Sequence, residues 1–320
     1  MHNNITDVAG ITVGHAVDKQ GVTGCTVIVS KDGAVCGVDV RGSAPGTRET
    51  DALDPINGVE KVHAITLAGG SAFGLEAASG VMKYLAEQQI GLFVEVATVP
   101  IVPGAVIFDL LIGSPTAYAT KEMGYEAAHN AMTGPFENGN VGVGYGATVG
   151  KVAGIEHFMK GGLGSSSIQG TEDLVVGAIV AVNAVGDVRE PATHEIIAGS
   201  RNHATGEWLD SCALIKQYAN VHTTPGANTT IGAIAINAKL TKAEAKKLAQ
   251  LTHNALAHTI YPVHTMFDGD TIFVLGTGEK RYQLDYLGQL AIEAMEQAIV
   301  RAVKDAKRLA NVESYESIRI

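Results

Sequence analysis

The sequence predicts an α+β layered sandwich, and three observations carry that reading. Strand-like runs come in groups flanked by amphipathic helices, without the βαβα alternation of a doubly wound sheet. Hydrophobic residues make up 46% of the chain against 18% charged, which allows a sizeable core and leaves no disordered or acidic tail. Finally, the 38 glycines fall inside apolar runs as well as in turns, as expected where sheet backbones approach closely. All 320 residues fit one large domain.

The elements follow in chain order. Runs at 11–17, 26–30 and 34–40, separated by turns such as Lys31-Asp32-Gly33, read as an antiparallel meander. A loop with two arginines, Arg41 to Arg48, leaves the sheet. A strand at 64–70 leads through Gly69-Gly70 into a helix at 71–88, where Leu75, Ala78, Met82 and Leu85 recur at helical spacing. A strand at 105–111 and a helix at 115–131 come next, then strands at 151–155, 164–169 and 174–185. The polar stretch 190–220 reads as an exposed excursion. The almost wholly apolar run 231–238 reads as a strand covered on both faces. Thr241 and Glu244 form a capping box, and Ala245, Leu248, Thr252, Ala255 and Leu256 supply the buried stripe of the helix it starts. A strand at 270–275 and a helix at 282–309 close the chain.

Several functional classes are excluded. The net charge is -10 and the 23 basic residues are scattered, so no cationic surface exists for nucleic acid. The apolar stretches are too short or too interrupted to span a bilayer, and the N-terminus lacks a signal-peptide pattern; a cytoplasmic protein with no membrane partner is expected. Cys25, Cys36 and Cys212 match neither a disulfide framework nor a metal site. Neither glycine-rich run is a cofactor loop. Gly69-Gly70-Ser71 lacks the Gly-Lys-Ser/Thr ending, and Gly142, Gly144 and Gly146 give GxGxG rather than a dinucleotide fingerprint; that run reads as a bulged strand. His253 and His258 are five apart, not on one helical face, and read as helix-surface residues. Asp268 and Asp270 lack further oxygen ligands for a cation. No cofactor and no metal are expected.

What remains is Asn228-Thr229-Thr230, between Thr224-Pro225-Gly226 and the buried strand. By itself the triplet reads as a turn or a strand start. As chemistry, Thr229 is a candidate nucleophile: a threonine hydroxyl needs a base, and an N-terminal threonine carries one in its own α-amine, whose pKa is about 7.7–8.0. Cleavage of the Asn228–Thr229 bond would create that amine, with Thr224-Pro225-Gly226 as a constraint on the junction.

Asn228 to Gly232, Leu240 to Ala249 and Pro262 to Thr271 together resemble the L-aminopeptidase/D-esterase family, which includes β-peptidyl aminopeptidases and nylon-oligomer hydrolases. Gly10 to His15, Thr66 to Leu75 and Gly144 to Lys151 match it too, so the similarity covers nearly the whole chain. The resemblance implies a four-layer αββα sandwich similar to N-terminal nucleophile hydrolases but with different connectivity. It also implies a precursor cut into 1–228 and 229–320, whose parts stay together and form a homo-oligomer of processed heterodimers.

Residue by residue, Lys151 matches the active-site lysine that keeps the threonine hydroxyl reactive. A strand-end surface lysine is the plain alternative. Asn183 matches the asparagine that stabilises the oxyanion. Asp268 and Asp270 match the acidic pair that orients the threonine amine and the lysine. Phe108 stands where a substrate-side tyrosine is expected, which bears on the substrate more than on the mechanism. The implied activity is hydrolysis of short peptides, amino-acid amides or esters through an acyl-threonine. The alternatives are hydrolysis of ω-amino-acid oligomers and an uncleaved, non-catalytic binding or assembly protein.

Overall fold

The computed structural model describes residues 1–217 and 228–319. Nine strands form one hydrogen-bonded ladder: β1 (Thr12–Asp18), β2 (Thr23–Val40), β3 (Thr47–Arg48), β4 (Lys61–Ala68), β5 (Gly104–Val106), β6 (Gly162–Gln169), β7 (Val175–Asn183), β8 (Thr229–Ile236) and β9 (Thr271–Gly276). Four longer helices accompany them: α1 (Ala77–Glu87), α2 (Lys121–His129), α3 (Lys242–Thr259) and α4 (Leu284–Lys304).

The ladder is two sheets joined by one long strand. β2 spans 18 residues. Its first half pairs with β1 on one edge and β4 on the other, and its second half pairs with β9. The expected Lys31-Asp32-Gly33 turn is therefore corrected: β2 runs through these residues as one strand, with Gly33 at φ +71° where the pairing with β4 shifts register between Val29 and Ala34. Such an irregularity bends and twists a strand, and here it lets β2 serve both sheets.

Side-chain alternation along these strands fills three separate interiors, as four layers require. Val180, Ile234, Val274 and their neighbours pack against Leu248, Leu256, Met295 and Ile299 of α3 and α4. The opposite faces, Ile179, Ile231, Ala233 and Phe273, meet Ile28, Ile65 and Leu67 of the other sheet. Cys25, Val27 and Ala64 turn outward onto Val81, Leu85 and Ala127 of α1 and α2. The fold is thus an α+β αββα sandwich. β8 is buried at all eight positions, because helices cover one face and the second sheet the other. Burial of Ile231, Ile234 and Ile236 contributes about 1.5–3 kcal/mol each.

The Thr241–Glu244 capping box is present, with Glu244 N–H on Thr241 Oγ1 at 3.2 Å and Thr241 N–H on Glu244 Oε2 at 2.7 Å. All five residues of the expected α3 stripe are buried. Other boundaries differ. α2 starts only after Thr120, whose hydroxyl accepts the Met123 N–H; before it Pro115 and Thr116 turn, and Ala117 to Ala119 take no regular structure. The strand expected at 105–111 pairs only over Gly104–Val106, since Asp109 leaves the ladder for polar partners. Residues 151–155 form a turn rather than a strand, and Gly142–Gly144 is a 3₁₀ turn rather than a bulged strand. The polar stretch after Glu190 contains a strand at Ile196–Ala198 and a short helix at Ser211–Gln217. Among the described residues, no helix is long and apolar enough to cross a membrane.

The outer helices touch through glycine. A Cβ on Gly80 would lie 1.8 Å from the Lys121 carbonyl, and one on Gly124 would lie 1.9 Å from the Ala77 carbonyl. Neither backbone can yield without separating α1 from α2. Gly124→Val should therefore cost about 1–3 kcal/mol, read as a lower urea midpoint, while Lys121→Ala on the same helix should leave the midpoint unchanged.

Candidate active site

Thr229 opens β8 and pairs in register with Asn183, the last residue of β7. Both are buried, as is Asn228. The Thr229 hydroxyl donates to the carbonyl oxygen of Asn228, and the same carbonyl accepts the Gly269 N–H at 3.0 Å. Asn228 and Asp268 form a parallel bridge that extends the β8–β9 pairing beyond both strands. The Asn228 carbonyl is thus polarised by a backbone donor on one side, with a hydroxyl against it on the other. Thr224-Pro225-Gly226, the expected constraint on this junction, lies outside the described residues.

Asn183 ties the site to two other segments. Its Oδ1 accepts the Thr148 N–H at 3.0 Å and the Lys151 ammonium at 2.9 Å, while Lys151 Nζ also reaches the Asn183 carbonyl at 2.8 Å. The Asn183 amide nitrogen donates to the Phe108 carbonyl at 2.9 Å. Phe108 therefore contributes its backbone to the site.

Lys151 is buried rather than on the surface. Its backbone bonds the Val185 carbonyl at 2.9 Å, and Gly150 before it bonds Gly186 at 3.0 Å. Only glycine fits that turn: φ is +75°, and a Cβ would lie 2.1 Å from the backbone of Gly199 and Ser200. Burial pulls the Lys151 amine down to about 7, against the opposing charges of Asp268 and Asp109 and with the like charge of Lys160.

Asp268 and Asp270 straddle Gly269 and are both buried. Asp268 accepts the backbone N–H of Thr265 at 2.9 Å and its hydroxyl at 2.6 Å. Burial, followed by the charge of Asp270, raises its carboxyl to about 6. Asp270 accepts the Thr230 N–H at 2.7 Å through one oxygen and the His264 ring at 2.8 Å through the other. The 41–48 loop meets this pair with its backbone, not its arginines: the Arg41 and Gly42 N–H groups bond the Asp270 carbonyl at 3.0 and 3.2 Å, and Ala44 bonds the Asp268 carbonyl at 2.9 Å. Arg41 itself turns to Asp39 and the Gln250 carbonyl. The structure thus brings together Thr229, Lys151, Asn183, Asp268, Asp270 and the Phe108 backbone.

Three polar residues beside these escape the sequence reading, and a fourth, His253, is misplaced by it. Asp109 binds the Thr23 hydroxyl and the Gly70 N–H, each at 2.7 Å, and burial raises its carboxyl to about 6. Lys160 donates to the Tyr145 and Ala147 carbonyls at 2.9 and 2.6 Å, and burial lowers its amine to about 7. A lone charge inside an apolar run, Ile107 to Leu111 or Phe158 to Gly161, is the signal that marks both. His264 was passed over, and His253, expected on a helix surface, is fully buried. Cys25 is buried, with its thiol pushed up to about 12, and Cys36 is likewise raised; both are inert at neutral pH. Among the described residues no three His, Cys, Asp or Glu side chains converge as a metal set.

The sequence profile of peptidase family S58 matches residues 3–316. An uncharacterized aminopeptidase of Mycobacterium tuberculosis is 38% identical, with 98% of this chain and 97% of the relative covered. A 6-aminohexanoate-oligomer endohydrolase of a Kocuria species is 32% identical over 93% of this chain and 85% of its own. The solved L-aminopeptidase D-Ala-esterase/amidase of Ochrobactrum anthropi, a variant of the Ntn-hydrolase fold, superposes with a TM-score of 0.70 at 18% identity, covering 99% of this chain and 93% of that one.

Lys160 gives the site a pH signature in stability. Its amine titrates near 7 in the folded protein but near 10.5 unfolded. Between those values the unfolded chain binds more protons, so unfolding free energy rises with pH. Lys160→Met should remove the Lys160 share of that rise between about pH 7 and pH 10 in urea titrations; an unchanged slope would show that Lys160 keeps its proton in the folded protein, as a solvated amine does.

Proposed function

Because the chain belongs to peptidase family S58, a family with aminopeptidase and nylon-oligomer hydrolase relatives, we propose that it is a self-processing N-terminal threonine hydrolase. The observation that carries this reading is the Asn228 carbonyl, which has the Thr229 hydroxyl on one side and the Gly269 N–H on the other.

Maturation starts when Thr229 Oγ1 attacks the Asn228 carbonyl carbon. The developing oxyanion stays on the Gly269 N–H, which needs no reorganisation because the bond already exists. Collapse breaks the C–N bond as the hydroxyl proton passes to the Thr229 nitrogen, which moves the acyl group from nitrogen to oxygen, and water then hydrolyses the ester. The products are the Asn228 carboxylate and a Thr229 with a free α-amine. β8 stays inside the sandwich, since its apolar side chains are buried on both faces, so the two fragments remain associated. A cytoplasmic location and a homo-oligomer of such processed heterodimers belong to the same proposal.

In turnover the new amine takes the hydroxyl proton, and Thr229 Oγ1 attacks the substrate carbonyl. Lys151 keeps the hydroxyl reactive through its charge and hydrogen bonding; with its amine near 7 it can also hold or release a proton at neutral pH. Asn183 carries two amide N–H donors; one binds Phe108 and the second serves the oxyanion. Asp268 and Asp270 orient the Thr229 amine and Lys151. The substrates are short peptides and amino-acid amides or esters with a free amino end. The identity to 6-aminohexanoate-oligomer endohydrolases favours ω-amino-acid oligomers as the second reading. Turnover of those oligomers but not of amino-acid amides would select it.

Thr229→Ala should remain a single chain and turn over no substrate. A Thr229→Ala chain that still splits after Asn228 would remove Thr229 as nucleophile. Asn183→Ala should lower kcat by about 10²–10³-fold with KM little changed; a raised KM with kcat unchanged would assign Asn183 to substrate binding instead.

A further inference from the structure

Behind the acidic pair lies a histidine pair that the proposed chemistry does not use, His253 buried and His264 partly buried. His264 places both its backbone N–H, at 3.2 Å, and its ring Nδ1, at 2.8 Å, on the same oxygen of Asp270. Its backbone pays conformational strain to do so, with φ at +55° on a residue that is not glycine. Its other ring nitrogen, Nε2, is buried with no hydrogen-bond partner among the described residues. His253, from α3, packs edge-on against it with ring centroids 4.8 Å apart. His253 Nε2 lies 3.1 Å from the Asp39 carbonyl and 3.5 Å from the Asp39 carboxylate, while its Nδ1 is buried and unpartnered among the described residues.

These contacts settle both tautomers. A carboxylate and a carbonyl can only accept, so the protons sit on His264 Nδ1 and His253 Nε2. The two unpartnered nitrogens are then bare lone pairs, which cost less to bury than stranded N–H donors. Burial holds the His253 imidazole well below its ordinary range, near 4, so His253 carries a single ring proton. Arg41, 2.8 Å from Asp39, closes the arrangement at the surface.

We infer that His264 is a positioning residue for Asp270: it fixes one carboxylate oxygen so that the other receives the Thr230 N–H and holds the start of β8 in place for attack by Thr229. The inference rests on the reading of Thr229 as nucleophile. His253 acts on it in turn, filling the space that would let the His264 ring rotate.

Two measurements test this. In the Thr229→Ala chain, ¹⁵N shifts of His264 should show Nδ1 protonated and Nε2 bare at neutral pH; an Nε2–H tautomer overturns the inference whether or not Thr229 is the nucleophile. In the active protein, His264→Gln should lower kcat and the self-cleavage rate about 10²-fold with little change in KM. His264→Asn, whose amide can place an N–H where Nδ1 was, should recover most of both. Equal rates in the Asn and Gln variants at matched thermal stability, or wild-type rates in both, contradict the positioning role. A wild-type chain that never splits at Asn228–Thr229 would instead sink the nucleophile reading, leaving the tautomer measurement to decide on His264.

Discussion

The site depends on the parallel pairing of β8 with β9. A parallel pair needs a long crossover, and α3 supplies it while covering one face of both strands. Extended past both strands, the pairing sets Asn228 beside Asp268 and puts the Gly269 N–H on the Asn228 carbonyl. The junction residue and the acidic turn are 40 positions apart in sequence, yet their relative placement is one backbone hydrogen bond. β7, on the other side of β8, fixes Asn183 opposite Thr229 by the same register logic.

Around this backbone frame the protein buries charges that water would otherwise stabilise. Lys151, Lys160, Asp109 and Asp268 all lose solvation, and each is shifted toward its neutral form. Such groups cost stability unless they are paired or hydrogen-bonded. Here the partners are backbone carbonyls and N–H groups, the Asn183 amide oxygen and the Thr23 and Thr265 hydroxyls. Amines near 7 and carboxyls near 6 are also the values at which proton transfer is easiest at neutral pH, so the cost of burial and the usefulness of the site have one cause.

Legibility in the sequence followed the range of the forces involved. α3 was readable because its capping box and apolar stripe are local, and β8 because an unbroken apolar run has few alternatives. Thr229, Lys151, Asn183, Asp268 and Asp270 were nameable only through long motifs in order, since nothing local distinguishes Asn-Thr-Thr from a turn. β2 was misread at Lys31-Asp32-Gly33 because turn chemistry is local while the demand that one strand serve two sheets is not. His253 and Lys160 were missed or misplaced for the same reason: a polar residue on a helix or strand says nothing of burial until its tertiary partner, Asp39 or the Tyr145 carbonyl, is known.

The central claim is that the bond between Asn228 and Thr229 is built to break, and that breaking it creates the catalytic base. Intact mass under denaturing conditions, with N-terminal sequencing of the smaller species, tests it most directly. The account predicts that the 33.2 kDa chain divides into two, the smaller beginning Thr-Thr-Ile-Gly. An active protein that remains a single uncut chain, or a fragment beginning at another residue, would contradict it.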